Sequence, residues 1–175
     1  MVASLFMLPV PGEPSAEWVL LNYRLPREPS TPRITVWRKL KKLGVAQVVD
    51  GVVALPAGAR TREQFEWLAD EIAEFDGHAG VWLARCTTAD QEQLLRTQMT
   101  SARAAEYTEL LAAVNAAEAL HLRGRRAALR RLRSQLRQVA RRDYFPPPER
   151  DQVEVALRTL ASSLDSAEAE SEVSP

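Results

Sequence analysis

VAQVVDGVVALP, Val45 to Pro56, is two short β-branched runs around Asp50-Gly51. Asp-Gly between such runs signals a hairpin, because the two-residue turns that match the twist of paired strands need residues tolerating positive φ. Upstream, WVLLNYRL, Trp18 to Leu25, is almost continuously apolar and bounded by Glu17 before it and by Pro26 and Pro29 after it. It reads as a buried strand, with Val19, Leu21, Tyr23 and Leu25 on one face and Trp18, Leu20, Asn22 and Arg24 on the other. Between this strand and the hairpin, Ser30-Thr31-Pro32 places a hydroxyl at a helix cap and a proline in the first turn. The helix runs to about Leu43, stopped by Gly44, and buries Val36, Leu40 and Leu43 while its lysines stay outside.

Downstream of the hairpin, Thr61 caps a second helix in which Phe65, Leu68, Ile72 and Phe75 recur at helical spacing and which Asp76-Gly77 ends. Gly80 to Cys86, GVWLARC, is a fourth strand. The order strand, helix, strand, strand, helix, strand over residues 17–88 predicts an α+β fold. With right-handed crossovers it is the ferredoxin-like sandwich, an antiparallel sheet with both helices on one face. Trp18, Trp37, Trp67 and Trp82 all fall on apolar stretches and are expected in the core.

After Thr88 no strand pattern recurs and an all-α extension, residues 89–165, is predicted. Its first helix, Ala89 to His121, carries Tyr107, Leu110, Val114 and Ala117 along one side, and Gly124 breaks or bends the path. A second, Arg125 to Arg142, carries Leu129, Leu132, Leu136 and Val139. Pro146-Pro147-Pro148 stops it and opens a third with Val153, Leu157, Leu160 and Leu164. Residues 166–175 lack an apolar period and are expected to be a disordered acidic tail, and residues 1–16 a flexible arm, a poor signal peptide with no basic start.

At 175 residues, with 46% hydrophobic and 26% charged positions, the chain can build a packed core but not two large lobes. No apolar run approaches the roughly 18 residues of a membrane span, so no membrane partner is expected and the cytoplasm is the default location. The single cysteine, Cys86, cannot form an internal disulfide and reads as a buried thiol. His78, beside a glycine turn, and His121, at the end of an alanine-rich helix, have no nucleophile or carboxylate at a catalytic spacing. No catalytic residue, metal site or cofactor is expected.

The formal net charge is zero, from 23 basic and 23 acidic residues, and that sum hides unlike blocks. Arg24, Arg27, Arg33, Arg38, Lys39, Lys41 and Lys42 stand against the single acid Glu28. Arg123, Arg125, Arg126, Arg130, Arg131, Arg133, Arg137, Arg141 and Arg142 stand against none. Like charges three and four residues apart on a helix repel by about a few tenths of a kcal/mol per pair, and phosphate would relieve this. Arg33, Arg38, Lys39, Lys41, Lys42, Arg126, Arg130, Arg133, Arg137 and Arg141 are therefore the candidate nucleic-acid-binding residues, with DNA the expected partner. The acidic second helix and tail offer the alternative of intramolecular masking. Arg27, Ser30, Thr31 and Arg33, around a helix start, form a candidate oxyanion site.

Trp18 to Arg33, WVLLNYRLPREPSTPR, then VWRKLKKLG from Val36 and DGVVALP from Asp50, together with EQFEWLADEI near Glu63 and GVWLAR from Gly80, resemble the ChrB N-terminal domain family. The likeness covers roughly residues 16–165. More distantly the chain is similar to the Cas2-like domain of PaaX-type repressors. The resemblance implies a bacterial regulator of chromate resistance that binds promoter DNA and releases it when chromate, as effector, is present; a homodimer is expected. Longer members carry a second, C-terminal domain. Cas2 itself implies a metal-dependent nuclease with a carboxylate after the tyrosine ending the first strand, but Arg24 follows Tyr23 here, and a guanidinium repels a divalent cation. The competing readings are a dimerising interaction module without DNA binding and, third, the nuclease.

Overall fold

The computed structural model describes residues 16–173. It divides into two compact units, one up to Gln98 and one from Met99 onward. The first contains β1 (Glu17–Arg24), α1 (Thr31–Leu43), β2 (Ala46–Val49), β3 (Val52–Pro56), α2 (Ala59–Glu74) and β4 (His78–Arg85). Its four strands form one antiparallel sheet in the order β2-β3-β1-β4, so the central strands β1 and β3 are paired on both edges. Trp18, Val19 and Leu21 of β1, Val53 to Leu55 of β3, Val36 and Leu40 of α1, and Phe65, Leu68 and Ile72 of α2 are buried. The helix periodicities of the sequence thus mark the buried faces.

The turn between β2 and β3 departs from the mirror-image type, which needs positive φ at both central residues. Gly51 alone has it, at 75°, and the register shifts between Gln47 and Val49 as in a bulged hairpin. Tyr23 N donates to Gly51 O at 2.7 Å, and a Cβ on Gly51 would stand 2.6 Å from Tyr23 O. Only glycine fits against β1 here.

Three of the four tryptophans correct the sequence expectation. Trp18 is buried, but Trp37, Trp67 and Trp82 are 54%, 64% and 61% exposed. On α1 and α2 the core is claimed by Val36 and Leu40 and by Leu68 and Phe65, and one residue's step turns the neighbour about 100° away. Trp82 lies on β4, an edge strand. Cys86 is half-buried rather than enclosed; burial, and then the Glu92 charge, push its thiol pKa up.

The caps differ as well. Ser30 precedes α1 with helical torsions and makes no side-chain cap bond. Thr61 lies inside the first turn of α2, its hydroxyl donating toward Pro56 O and Gly58 O.

The helix α3 (Ala89–Glu118) starts with Thr88 Oγ1 accepting from Gln91 N, and Asp90 and Glu92 in its first turn suit the helix dipole. Residues 89–98 of this helix lie in the first compact unit. Ala16 N donates to Glu92 Oε2 at 3.2 Å and Gln47 N to Gln98 Oε1 at 3.0 Å, so side chains of α3 satisfy backbone amides at the sheet margin.

The second unit joins the rest of α3 to α4 (Leu122–Ala140) and α5 (Glu149–Val173). Tyr107, Leu110 and Val114 meet Leu129, Leu132 and Val139 of α4 and Val153, Leu157, Leu160 and Leu164 of α5 in one core. The break after α3 falls at Leu120 and His121, and Gly124 sits in the first turn of α4, not at the break. The segment expected to be irregular from residue 166 continues α5 to Val173. Propagating a nucleated helix is easy for alanine and glutamate. The expected arm, residues 1–16, lies outside the described residues except for Ala16.

Candidate nucleic-acid interface

On α4, Ala128, Leu129, Leu132 and Val139 are buried, which fixes which side of the helix faces out. Arg126, Arg130, Arg133, Arg137 and Arg141 are all exposed. At 100° per residue they fall within a stripe about 80° wide, and at 1.5 Å per residue they span about 22 Å. Arg130, Arg133, Arg137 and Arg141 form no ion pair with the described residues. Arg125 and Arg142 lie off the stripe and are occupied, Arg125 Nε donating to Leu120 O at 2.8 Å and Arg142 Nη2 to Glu106 Oε2 at 2.6 Å. The charge block in the sequence thus includes structural arginines, Arg125 and Arg142, and an exposed outer row in which Arg130, Arg133, Arg137 and Arg141 meet no acid among the described residues.

The basic residues of α1 are arranged differently. Arg33, Arg38, Lys39, Lys41 and Lys42 are exposed. Arg38 and Lys42 lie opposite the buried Val36 and Leu40, one turn apart. Lys39 pairs with Glu71 of α2, and Lys41 Nζ lies 4.3 Å from the centroid of the Trp37 ring. So the acidic second helix masks one cation of α1, as a neighbouring helix would in a purely intramolecular arrangement.

Arg27, Ser30 and Arg33 line an open depression beside the start of α1, together with Glu28 and Pro29. Thr31 does not line it, and the Glu28 carboxylate shares the wall with the two guanidinium groups. Since Ser30 makes no cap bond, its hydroxyl is uncommitted by the helix.

Inside the helical unit, Tyr107 Oη donates to Asp143 Oδ2 at 2.7 Å and Arg103 Nη2 pairs with Glu106 Oε1 at 2.9 Å. Arg103 is buried, and its Nε and Nη1 have no hydrogen-bond partner among the described residues. Burial lowers its pKa, opposed by Glu106. Burial, and then the bond to Asp143, raise the Tyr107 phenol well above its ordinary value. This cluster orients α4 from the inside. No group of three His, Cys, Asp or Glu side chains that could hold a metal ion occurs among the described residues.

A family model described as "Protein ChrB, N-terminal" matches residues 33–170. The chain belongs to the ChrB N-terminal family. Protein ChrB of Cupriavidus metallidurans is 28% identical to it over 160 residues, 89% of this chain and 49% of that protein. The chain therefore spans about half the length of this curated relative. No solved structure matches it.

The ChrB N-terminal match takes in most of α1, all of α4 and most of α5, and so reaches across both units. At one end of the sheet Asn22, Arg24, Asp50, His78 and Trp82 line a common cleft. The signal was topological: in this element order the end of the first strand, the hairpin turn and the start of the last strand lie side by side.

Proposed function

We propose that this chain is the DNA-binding regulatory region of a chromate-resistance regulator, holding promoter DNA through α4 and, more weakly, α1, and releasing it when chromate is present. The observation that carries this reading is the outer row of α4, where Arg130, Arg133, Arg137 and Arg141 meet no acid among the described residues. A row of cations about 16 Å long suits the regular phosphates of a duplex, which contribute affinity and orientation but not sequence choice. Membership of the ChrB N-terminal family supports the chromate-resistance setting. Under this reading the chain is cytoplasmic, non-enzymatic and a homodimer, matching a two-fold operator. Within the described residues no helix is long and apolar enough to cross a membrane.

The sheet unit fits the ferredoxin-like, Cas2-like arrangement, supported by the antiparallel order β2-β3-β1-β4 and the βαββαβ sequence of elements. Arg24 stands where a Cas2-like nuclease has its carboxylate, which favours binding over phosphodiester cleavage. Arg27, Ser30 and Arg33 are the proposed contact for a tetrahedral oxyanion at the start of α1.

The test is a mobility shift of the DNA upstream of the protein's own gene, at low salt, with and without chromate. The expected result is a complex that weakens steeply with salt and dissociates on adding chromate. Absence of any shift at low salt overturns the reading. A second reading, an interaction module without DNA binding, is favoured by the exposed Trp37, Trp67 and Trp82. Light scattering showing an oligomer, with no salt-dependent DNA binding, would select it.

A further inference from the structure

An open cleft of about 390 Å³ lies at the end of the sheet where β1 finishes, β2 turns into β3 and β4 begins. The register accounts for its composition: Leu20 pairs with Trp82, Asn22 with Gly80 and Arg24 with His78. Side chains alternate along strands, so residues 22 and 24 of β1 and 78, 80 and 82 of β4 share one face. The Arg24 guanidinium and the His78 imidazole are thereby direct cross-strand neighbours, four residues along β4 from Trp82, whose indole nitrogen reaches back to Gly80.

The indole is held in place. Trp82 Nε1 donates to Asn22 Oδ1 at 2.9 Å, although the residue is 61% exposed. Gly80 makes the room for this bond: a Cβ there would stand 2.7 Å from Asn22 Oδ1 and 2.9 Å from Trp82 Nε1. An exposed tryptophan ordinarily has its ring free to reorient. Here its own polar atom is anchored while most of the ring stays open to solvent. Neither Arg24 nor His78 forms an ion pair with the described residues, and Asp50, in the hairpin turn, supplies a carboxylate to the same cleft.

We propose that this cleft binds a nucleotide unit, with its base stacked on Trp82, its phosphate between Arg24 and His78, and a sugar or base donor on Asp50. A planar ring alone would accept any flat ligand, and a pair of basic side chains any anion. A bare oxyanion would leave Trp82 without a role and would face the Asp50 carboxylate. A ligand carrying a flat π face, a phosphate and hydrogen-bond donors uses all three groups. Bases inside a duplex have their faces covered, so the unit comes from a free nucleotide or from a single strand. The assignment is independent of duplex binding by α4.

The experiment uses the full chain carrying Arg130→Glu, Arg133→Glu and Arg137→Glu, so that the outer row of α4 does not contribute. Calorimetry with adenosine and guanosine monophosphates, and anisotropy with a labelled eight-nucleotide single strand, distinguish the two sources. Binding by either probe, weakened about tenfold by Trp82→Ala and by Arg24→Ala, is the expected result. Trp82→Phe should retain most of the affinity, and Gly80→Ala, which keeps the ring but intrudes on its anchor, should lose it. Circular dichroism confirms that each variant is folded. No binding of either probe, inorganic phosphate competing as well as the nucleotide, or an unchanged affinity in Trp82→Ala overturns the proposal.

Discussion

Tyr107 of α3 donates a 2.7 Å hydrogen bond to Asp143, just past the end of α4, and the Asp143 side chain is wholly enclosed. Arg150 pairs with the same carboxylate oxygen at 3.7 Å. The bond therefore fastens the far end of the arginine-bearing helix to α3 and compensates a buried carboxylate. Tyr107→Phe keeps the ring and removes that donor, leaving the carboxylate under-solvated. The expected cost is about 2–3 kcal/mol, read as a lower urea midpoint with little change in slope.

The same pair makes stability fall at alkaline pH. Burial first, and the Asp143 bond second, raise the Tyr107 pKa above its ordinary value of 10.0. The folded chain thus keeps a proton that the unfolded chain gives up. The stabilisation is complete below about pH 10 and is lost progressively as pH rises above it toward the folded-state value. Tyr23 contributes in the same direction, through burial and then the Asp50 charge. Urea unfolding between pH 8 and 11 should show this decline, with a shallower decline in Tyr107→Phe.

Replacing Arg130, Arg133 and Arg137 of α4 with glutamate should abolish duplex binding at moderate salt. Arg130→Ala, Arg133→Ala and Arg137→Ala together should lower the slope of log affinity against log salt by about 2–3, if each cation meets one phosphate. The folded state should not suffer, because these side chains are exposed and the replacements remove like-charge repulsion. Thermal melts and salt titrations by anisotropy check both halves.

Gly51→Ala should destabilise the sheet unit by about 1–3 kcal/mol, since φ is 75° and the added Cβ would press within 2.6 Å of Tyr23 O. Asp50→Ala, at a position without a positive φ, should cost less. Denaturant melts of the two variants decide the order.

Tryptophan substitutions should split sharply. Trp18→Ala removes a ring that is 1% exposed and should cost about 3–5 kcal/mol, whereas Trp37→Ala and Trp67→Ala should cost about 1 kcal/mol or less. Comparable losses at all three positions would contradict the burial pattern.

Hydrophobic spacing made the architecture legible before any coordinates. Val36 and Leu40, Phe65, Leu68 and Ile72, Leu129 and Leu132, and Val153, Leu157, Leu160 and Leu164 are buried as their three-and-four spacing requires. Periodicity reports which side of a helix prefers to leave water, and that preference needs no knowledge of the neighbour. It is weaker at flanking positions such as Trp37 and Trp67, where a large apolar ring one step from the stripe looks like part of it. Cap chemistry misled in a similar way, since Ser30 has the right hydroxyl but the wrong torsions to use it.

Local order along the chain thus carried the elements, their sequence and the concentration of arginine in one helix, because propensity and periodicity act over a few residues. Which arginines stay uncompensated is another matter. Arg142 is taken by Glu106, 36 residues away, and Lys39 by Glu71, 32 residues away. Likewise Arg24 and His78 become neighbours only through strand pairing, and Trp82 is anchored by Asn22, 60 residues distant. Charge pairing and ring placement depend on distances of a few ångströms between segments far apart in sequence. Folding alone brings those segments together, so the usable cations and the bound ring emerge only with tertiary structure.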